Sequence, residues 1–143
     1  MKRLICIVFV LAMLLSLCGC DDNSYRIQAA NAPFLDLEAY TKLYETDAQQ
    51  AKKDYEGNLY RYTGVPVFMI YKENALYLGF EVYDPETDMY KSIYQLKVCM
   101  EMEEFINIQP GYTYIFAGKL YQDGTIPELR NAILLEQVSE ETE

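Results

Sequence analysis

The stretch Leu59–Ile70, LYRYTGVPVFMI, decides the fold predicted for this chain. Most of its residues are aromatic, β-branched or aliphatic, which is typical of a β-strand. Gly64 lies in the middle of the stretch, and Pro66 follows two residues later. A glycine and a proline inside a strand mark a bulge or a sharp bend. We therefore predict one long bent strand, 59–71, that serves both halves of a closed sheet.

Four further strands are predicted after this bent strand. They are Ala75–Tyr83, Met89–Met100, Tyr112–Tyr121 and Leu129–Val138. The first two of these alternate with period two, so that every second side chain points to the core. The predicted core-facing residues are Leu76, Leu78, Phe80 and Val82 on one strand and Tyr94, Leu96, Val98 and Met100 on the next.

Two helices are predicted around these strands. Apolar residues recur at spacings of three and four over 36–56, with Asp36 as a candidate N-cap and Gly57-Asn58 as the stop. A short helix is predicted within 101–108, because Met102, Phe105 and Ile106 have helical spacing and Pro110 follows.

Three strands, a short helix and two more strands make the OB-fold arrangement, a five-stranded barrel. The predicted fold class is therefore mainly β (α+β), an OB-fold-like β-barrel with an N-terminal helix and a short helix between strands three and four. The chain also resembles the bacterial tRNA_anti-like OB domains, many of which are small lipoproteins, over about residues 37–137. The resemblance rests on Tyr55-x-Gly57-Asn58, Tyr62-Thr63-Gly64-Val65, Leu96-x-Val98-Cys99, Pro110-Gly111, Gly118 and Leu129-x-Asn131-Ala132. It implies the OB fold and does not imply binding of tRNA.

The N-terminus reads as a targeting signal. Lys2 and Arg3 precede an uncharged apolar run, 4–17, which is short for a membrane span and typical of a signal peptide. The sequence Leu17-Cys18-Gly19-Cys20 resembles the lipoprotein box, which implies cleavage after Gly19 and lipidation of Cys20. Cys18 fits this role less well, because Leu17 would stand where a small residue is needed. The alternatives are an ordinary cleaved signal and an uncleaved anchor.

The predicted domain organisation follows from this signal. Residues 1–19 form the signal peptide, 20–35 a flexible tether from lipidated Cys20, and 139–143 an acidic tail. Residues 36–138 form the OB-like domain, with its helix at 36–56 and its barrel at 59–138. Acyl chains anchor a protein without a spanning helix. We therefore expect the membrane as a partner and the extracytoplasmic side of the bacterial cell envelope as the location.

Charge disfavours nucleic acid as a partner. The chain has 12 Lys and Arg against 22 Asp and Glu, a formal net charge of −10. Removal of Lys2 and Arg3 with the signal leaves 10 against 22, or −12. Binding to phosphate backbones depends on basic side chains that displace counterions, and this chain has a large excess of the opposite charge.

The sequence predicts neither catalytic residues, nor a metal site, nor a cofactor, and we expect a protein that is not an enzyme. It has no histidine, the commonest general base and metal ligand. Two acidic groups could supply oxygen ligands to Ca²⁺. These groups are Glu101, Glu103 and Glu104, and Asp84, Glu86 and Asp88. For the first group, favourable charge at the start of a helix is the preferred explanation, and the second lacks the glycine and the length of a known calcium-binding loop. Cys99, the one cysteine left unmodified in the mature chain, is expected to be packed rather than reactive.

The candidate ligand-binding residues lie on two neighbouring strands. Tyr77 and Tyr83 are predicted on the outward face of the second strand, and Lys91, Gln95 and Lys97 on the same side of the third. This face of an OB-fold commonly binds ligands; alternatively the N-terminal helix covers it, or the tyrosines merely suit strands. We expect a non-enzymatic binding module for a cell-envelope protein or a glycan. The alternatives are a single-stranded nucleic-acid-binding OB domain and a small carboxylate-based hydrolase.

Overall fold

The computed structural model describes residues 21–138, with side chains from residue 23 onward. The predicted signal peptide (1–19), the predicted lipidation site Cys20 and the acidic tail (139–143) lie outside the described residues. Within the described range, no helix combines the length and apolar character needed to cross a bilayer.

One six-stranded sheet organises the described chain. Its strands are β1 (Leu59–Gly64), β2 (Pro66–Ile70), β3 (Ala75–Asp84), β4 (Met89–Met100), β5 (Thr113–Tyr121) and β6 (Glu128–Val138). Their order across the sheet is β1-β5-β6-β4-β3-β2. The β4–β6 pair is parallel, and the other neighbours are antiparallel. The fold is thus a mainly β, α+β fold.

The interruption expected at Gly64 and Pro66 is present, and it divides the predicted first strand in two. Val65 separates β1, which pairs with β5, from β2, which pairs with β3. The prediction of a closed five-stranded barrel is corrected here, because β1 and β2 are the two edges of the sheet and no ladder joins them. Pro66 lacks a backbone N–H and fits an edge position. A Cβ on Gly64 would lie 3.0 Å from Leu78, so the bend is tightly packed.

The predicted helix 36–56 is two helices, α2 (Leu37–Thr46) and α3 (Ala48–Tyr55). Asp36 caps α2 as predicted, since its side chain accepts a hydrogen bond of 2.9 Å from the Ala39 N–H. Asp47 caps α3 in the same way through the Gln50 N–H, at 3.0 Å. Its own backbone is not helical (φ −150°, ψ 85°), and this divides the predicted helix. The short helix expected after β4 is present as α4 (Met102–Phe105).

The segment predicted as a flexible tether is largely a packed helix, α1 (Asp21–Asn31). Ala29 is fully buried, and beyond the helix Ala32 and Leu35 are also buried. The Leu35 N–H donates to the Arg61 carbonyl, and the Arg61 N–H donates to the Pro33 carbonyl, each at 2.8 Å. These bonds join the segment to the edge of β1. The tether prediction is therefore wrong for 21–35. The sequence shows no apolar stripe there, because small residues make much of the contact with the domain.

The core joins the sheet to three of the helices. The buried cluster includes Leu76 and Leu78 of β3, Leu96 and Val98 of β4, Phe116 and Leu120 of β5, and Leu129 of β6. Tyr40 of α2, Ala51 of α3 and Phe105 of α4 belong to the same cluster. A continuous apolar core of this kind is the main stabilising contribution to a single domain without disulfides.

Candidate functional site

A β-bulge in β4 decides which side chains reach the outer face of the sheet. Leu78 pairs with Leu96, whereas Gly79 pairs with Tyr94, so Gln95 is an extra residue on β4. An extra residue moves the residues beyond it to the opposite face of their strand. Tyr94, predicted to face the core, is consequently 40% exposed, while Leu96 is fully buried.

Three aromatic side chains meet on the outer face of β2, β3 and β4, and we call Phe68, Tyr77 and Tyr94 the aromatic cluster. The ring centroids of Tyr77 and Tyr94 are 5.1 Å apart, and that of Phe68 lies 6.1 Å from each. The rings are tilted by 42–50°, a common geometry for aromatic pairs. Phe68 is 48% exposed, so the cluster offers apolar ring surface to a ligand.

A polar strip continues the outer face from the aromatic cluster across β4 and β6. Lys97 lies between Tyr77 on one side and Glu128 on the other, and its Nζ is 3.3 Å from Glu73. Burial alone would lower the pKa of Lys97, but Cys99, when its thiol is ionised at alkaline pH, and Glu73 raise it overall, so this amine stays charged at neutral pH. Each charge in this part of the strip therefore has an opposite neighbour.

The strip ends at Arg130, which also lies among opposite charges. Its guanidinium is ion-paired with both Asp123 and Glu128 and stacks on the Tyr121 ring, 4.7 Å from the centroid. Arg130 holds the pKa of Asp123 below its usual range.

Cys99 belongs to the same strip and is a packed thiol. Its Sγ donates to a Glu128 carboxylate oxygen at 3.7 Å, and the side chain is half-buried. Burial raises the pKa of the Cys99 thiol above its usual range, although Lys97 acts in the opposite direction. A thiol that stays protonated is a poor nucleophile, and this agrees with the predicted structural role.

The outermost part of β3 and β4 projects as a two-stranded ribbon, residues 79–94, which we call the hairpin arm. Neither neighbouring strand follows it, because β2 pairs only as far as Leu78 and β6 only from Lys97. Phe80 and Val82 were predicted to face the core, and they are 47% and 45% exposed for this reason. The other exposed large hydrophobic residues of the arm are Tyr83, Met89, Tyr90, Ile93 and Tyr94.

The structure separates the five residues predicted to bind a ligand. Tyr77 and Lys97 lie together beside the aromatic cluster. Tyr83 is near the tip of the hairpin arm, where its hydroxyl donates to Asp88 at 2.6 Å. Lys91 pairs with Val82 and therefore shares the opposite face, where it is ion-paired with Asp84. Gln95, at the bulge, lines a depression beside α2.

In each of the two acidic groups considered for Ca²⁺, some of the carboxylates are bound to other side chains of the protein. Glu104 is ion-paired with Arg26, and it also accepts a hydrogen bond of 3.1 Å from the Leu134 N–H. At the tip of the hairpin arm, Asp84 binds Lys91 and Asp88 binds Tyr83. Among residues 21–138, no group of three or more His, Cys, Asp or Glu is placed to hold a metal ion.

Sequence reasoning missed Phe68 and Tyr94 as members of the outer face. The sequence pattern assigns Phe68 to the bent strand but does not predict which face of the sheet it lies on. Uninterrupted alternation along the third predicted strand places Tyr94 in the core. Gly79 is the one sequence signal for the bulge, because glycine inside a strand marks such irregularities. Whether these residues bind a ligand stays a prediction.

No family model matches this chain, and no curated protein matches it. Among solved structures, the chain is similar to a Klebsiella pneumoniae protein described as a "putative nucleic acid-binding lipoprotein". The identity is 18% and the TM-score 0.49, over 81% of this chain and 98% of that chain. Membership of the tRNA_anti-like family therefore stays a prediction.

Proposed function

We propose that this protein is a lipid-anchored binding module of the bacterial cell envelope, with no catalytic activity. In this proposal the lipid is attached to Cys20, and the aromatic cluster binds a protein or a glycan. The observation that carries the proposal is the exposed contact of Phe68, Tyr77 and Tyr94 on one face of the sheet.

The strand order supports an OB-fold as the finer description of the architecture. If β1 and β2 are taken as the two halves of one bent strand, five strands remain, with α4 between the third and the fourth. That bent strand then contacts the second strand through β2 and the fourth through β1. The OB-fold is a partly open five-stranded barrel, and its ligands commonly lie on the face of strands two and three. The aromatic cluster lies on that face.

The charges of this face favour an uncharged ligand surface over a phosphate backbone. Lys97 and Arg130 on this face each have a carboxylate partner, as does Lys91 on the opposite face. Proteins that bind single strands instead combine stacking aromatic rings with a positively charged groove. Aromatic rings without such a groove are suited to the apolar faces of sugar rings or to apolar side chains of a protein. Nucleic acid is therefore the disfavoured alternative.

Binding can be tested with the full lipidated chain in detergent micelles. The probes are chitotetraose as a neutral glycan, a 12-mer of deoxythymidine, and solubilised envelope protein from the host. Tyr94→Ser and Phe68→Ser should weaken binding of the glycan or the protein at least about tenfold, roughly 1.4 kcal/mol. Tyr112→Ser is the matched control, since Tyr112 is 49% exposed but lies outside the aromatic cluster.

Two results would contradict this function. One is that the cluster variants bind the glycan or the protein as well as the wild type does, or lose no more affinity than the Tyr112→Ser control. The other is tight, salt-sensitive binding of the deoxythymidine 12-mer, which would favour the nucleic-acid alternative. The anchor has a separate test: Cys20→Ala should move the protein from the membrane fraction to the soluble fraction, and unchanged fractionation would show that Cys20 is not the anchor.

A further inference from the structure

The helix that directly follows Cys20 is fixed to the body of the domain near α4. The Tyr25 hydroxyl donates to the Asn131 carbonyl of β6 at 2.8 Å, and Arg26 is ion-paired with Glu104 of α4. Ala29 of α1 is fully buried. The first residue of α1, Asp21, comes five positions before Arg26, which is about 7.5 Å along a helix axis. The start of α1 at Asp21 therefore lies close to α4.

Exposed apolar side chains cluster at α4, and we call Tyr71, Met102 and Ile106 the α4 patch. Met102 is 49% exposed, and Tyr71 and Ile106 are each 69% exposed. The Tyr71 ring packs edge-on against Phe105 of α4, with centroids 5.3 Å apart. The patch therefore lies on the same end of the domain as the contact between α1 and α4.

We propose that α1 seats the domain directly on the bilayer, with the α4 patch against the lipid headgroups and the hairpin arm pointing away. This inference rests on the proposed lipid anchor at Cys20. A flexible tether over 20–35 would let the domain drift by roughly 20 Å in any orientation. The packed α1 removes that freedom, because the chain between the anchor and the domain is itself part of the domain.

The same orientation explains how the aromatic cluster stays accessible. Strand β4 runs from the hairpin arm to Met100, two residues before the start of α4, and its twelve residues span about 36 Å when extended. When the α4 end of the domain is at the membrane, the tip of the hairpin arm lies far from the membrane. The aromatic cluster then lies between the tip of the arm and the α4 end. Exposed Glu101 and Glu103 beside the patch disfavour deep insertion. The contact is accordingly at headgroup level.

Orientation can be measured by quenching in phosphatidylcholine vesicles that carry a nitroxide on the headgroup. The full lipidated chain, with Cys99→Ser, is labelled with one fluorophore at Ile106→Cys or at Glu86→Cys on the tip of the arm. Flotation of the vesicles first shows whether the protein is anchored. If it does not float, the anchor proposal is wrong. For floating protein, we expect quenching at position 106 to exceed that at position 86 at least threefold, and equal quenching would overturn the proposed orientation.

Paired variants of α1 test whether the helix sets the orientation. Ala29→Asp places a charge in a fully buried position, whereas Ala30→Asp changes the neighbouring exposed residue. Ala29→Asp should make quenching equal at positions 106 and 86 without loss of flotation. Ala30→Asp should leave quenching at position 106 larger than that at position 86. If Ala29→Asp does not fold, Arg26→Glu, with Gln28→Glu as its control, breaks the ion pair with α4 instead. If quenching at position 106 still exceeds that at position 86 by the same factor in the folded variant, α1 does not set the orientation of the domain.

Discussion

Gly79 and Ile93 approach so closely that a Cβ on Gly79 would stand 1.9 Å from the Ile93 carbonyl oxygen. The contact lies across the β3–β4 pair, next to the register shift between Leu78 and Gly79. No side chain can occupy this space without movement of the backbone. The bulge, and with it the outward position of Tyr94, therefore depends on glycine at position 79.

Gly79→Ala should destabilise the fold and shift the pairing of the hairpin arm. Forced overpacking costs about 1–3 kcal/mol, and here the obstacle is backbone rather than a flexible side chain. The free energy of unfolding can be measured by urea denaturation followed by circular dichroism. Gly124→Ala is the control, because a Cβ there would meet nothing within 4 Å. Equal stability of the two variants would show that the close approach is not required.

Neighbouring residues on the two sides of the bulge should respond differently to truncation. Leu96 is fully buried, and Leu96→Ala should cost about 2–5 kcal/mol. Tyr94 is 40% exposed, and Tyr94→Ser should cost about 1 kcal/mol or less. A loss for Tyr94→Ser as large as that for Leu96→Ala would place Tyr94 in the core, as simple alternation predicts. Urea unfolding of the two variants is sufficient to decide.

The parts of the fold that could be predicted are those with strong local signals. Gly64 and Pro66 marked the break between β1 and β2, and Asp36 marked the start of α2. Alternation correctly identified Leu76, Leu78, Leu96 and Val98 as core residues, and all four are buried. These signals are local because each depends on backbone geometry or on one face of one strand.

What could not be predicted depends on which elements are neighbours. Phe80 and Val82 continue the apolar alternation of β3, yet within residues 21–138 no strand or helix covers them, because β2 and β6 end before the hairpin arm. Tyr94 changes face through a single extra residue. α1 packs through the small residue Ala29, which produces no hydrophobic period. In each case the burial of a side chain is decided by a tertiary neighbour and not by the pattern of its own segment.

Removing the hydroxyl of Tyr40 should stabilise the protein slightly. Tyr40 is fully buried, and its hydroxyl has no hydrogen-bond partner among the described residues. An unpaired buried polar group costs about 1–3 kcal/mol, so Tyr40→Phe should gain about 1 kcal/mol. Tyr114→Phe is the matched control with the opposite sign, since the Tyr114 hydroxyl accepts a hydrogen bond of 3.0 Å from the Gln109 N–H. Urea unfolding should rank Tyr40→Phe above wild type and Tyr114→Phe below it.

The gain from Tyr40→Phe should increase at alkaline pH. Burial, with a smaller effect of Glu56, raises the pKa of the Tyr40 hydroxyl well above its ordinary value of 10.0. Above about pH 10 the unfolded chain releases this proton and the folded chain retains it, so ionisation lowers the free energy of the unfolded state and stability falls. Phenylalanine has no proton to release at this position. The difference in melting temperature between Tyr40→Phe and wild type should therefore be larger at pH 11 than at pH 8, and a constant difference would show that Tyr40 ionises as readily in the folded protein as in the unfolded chain.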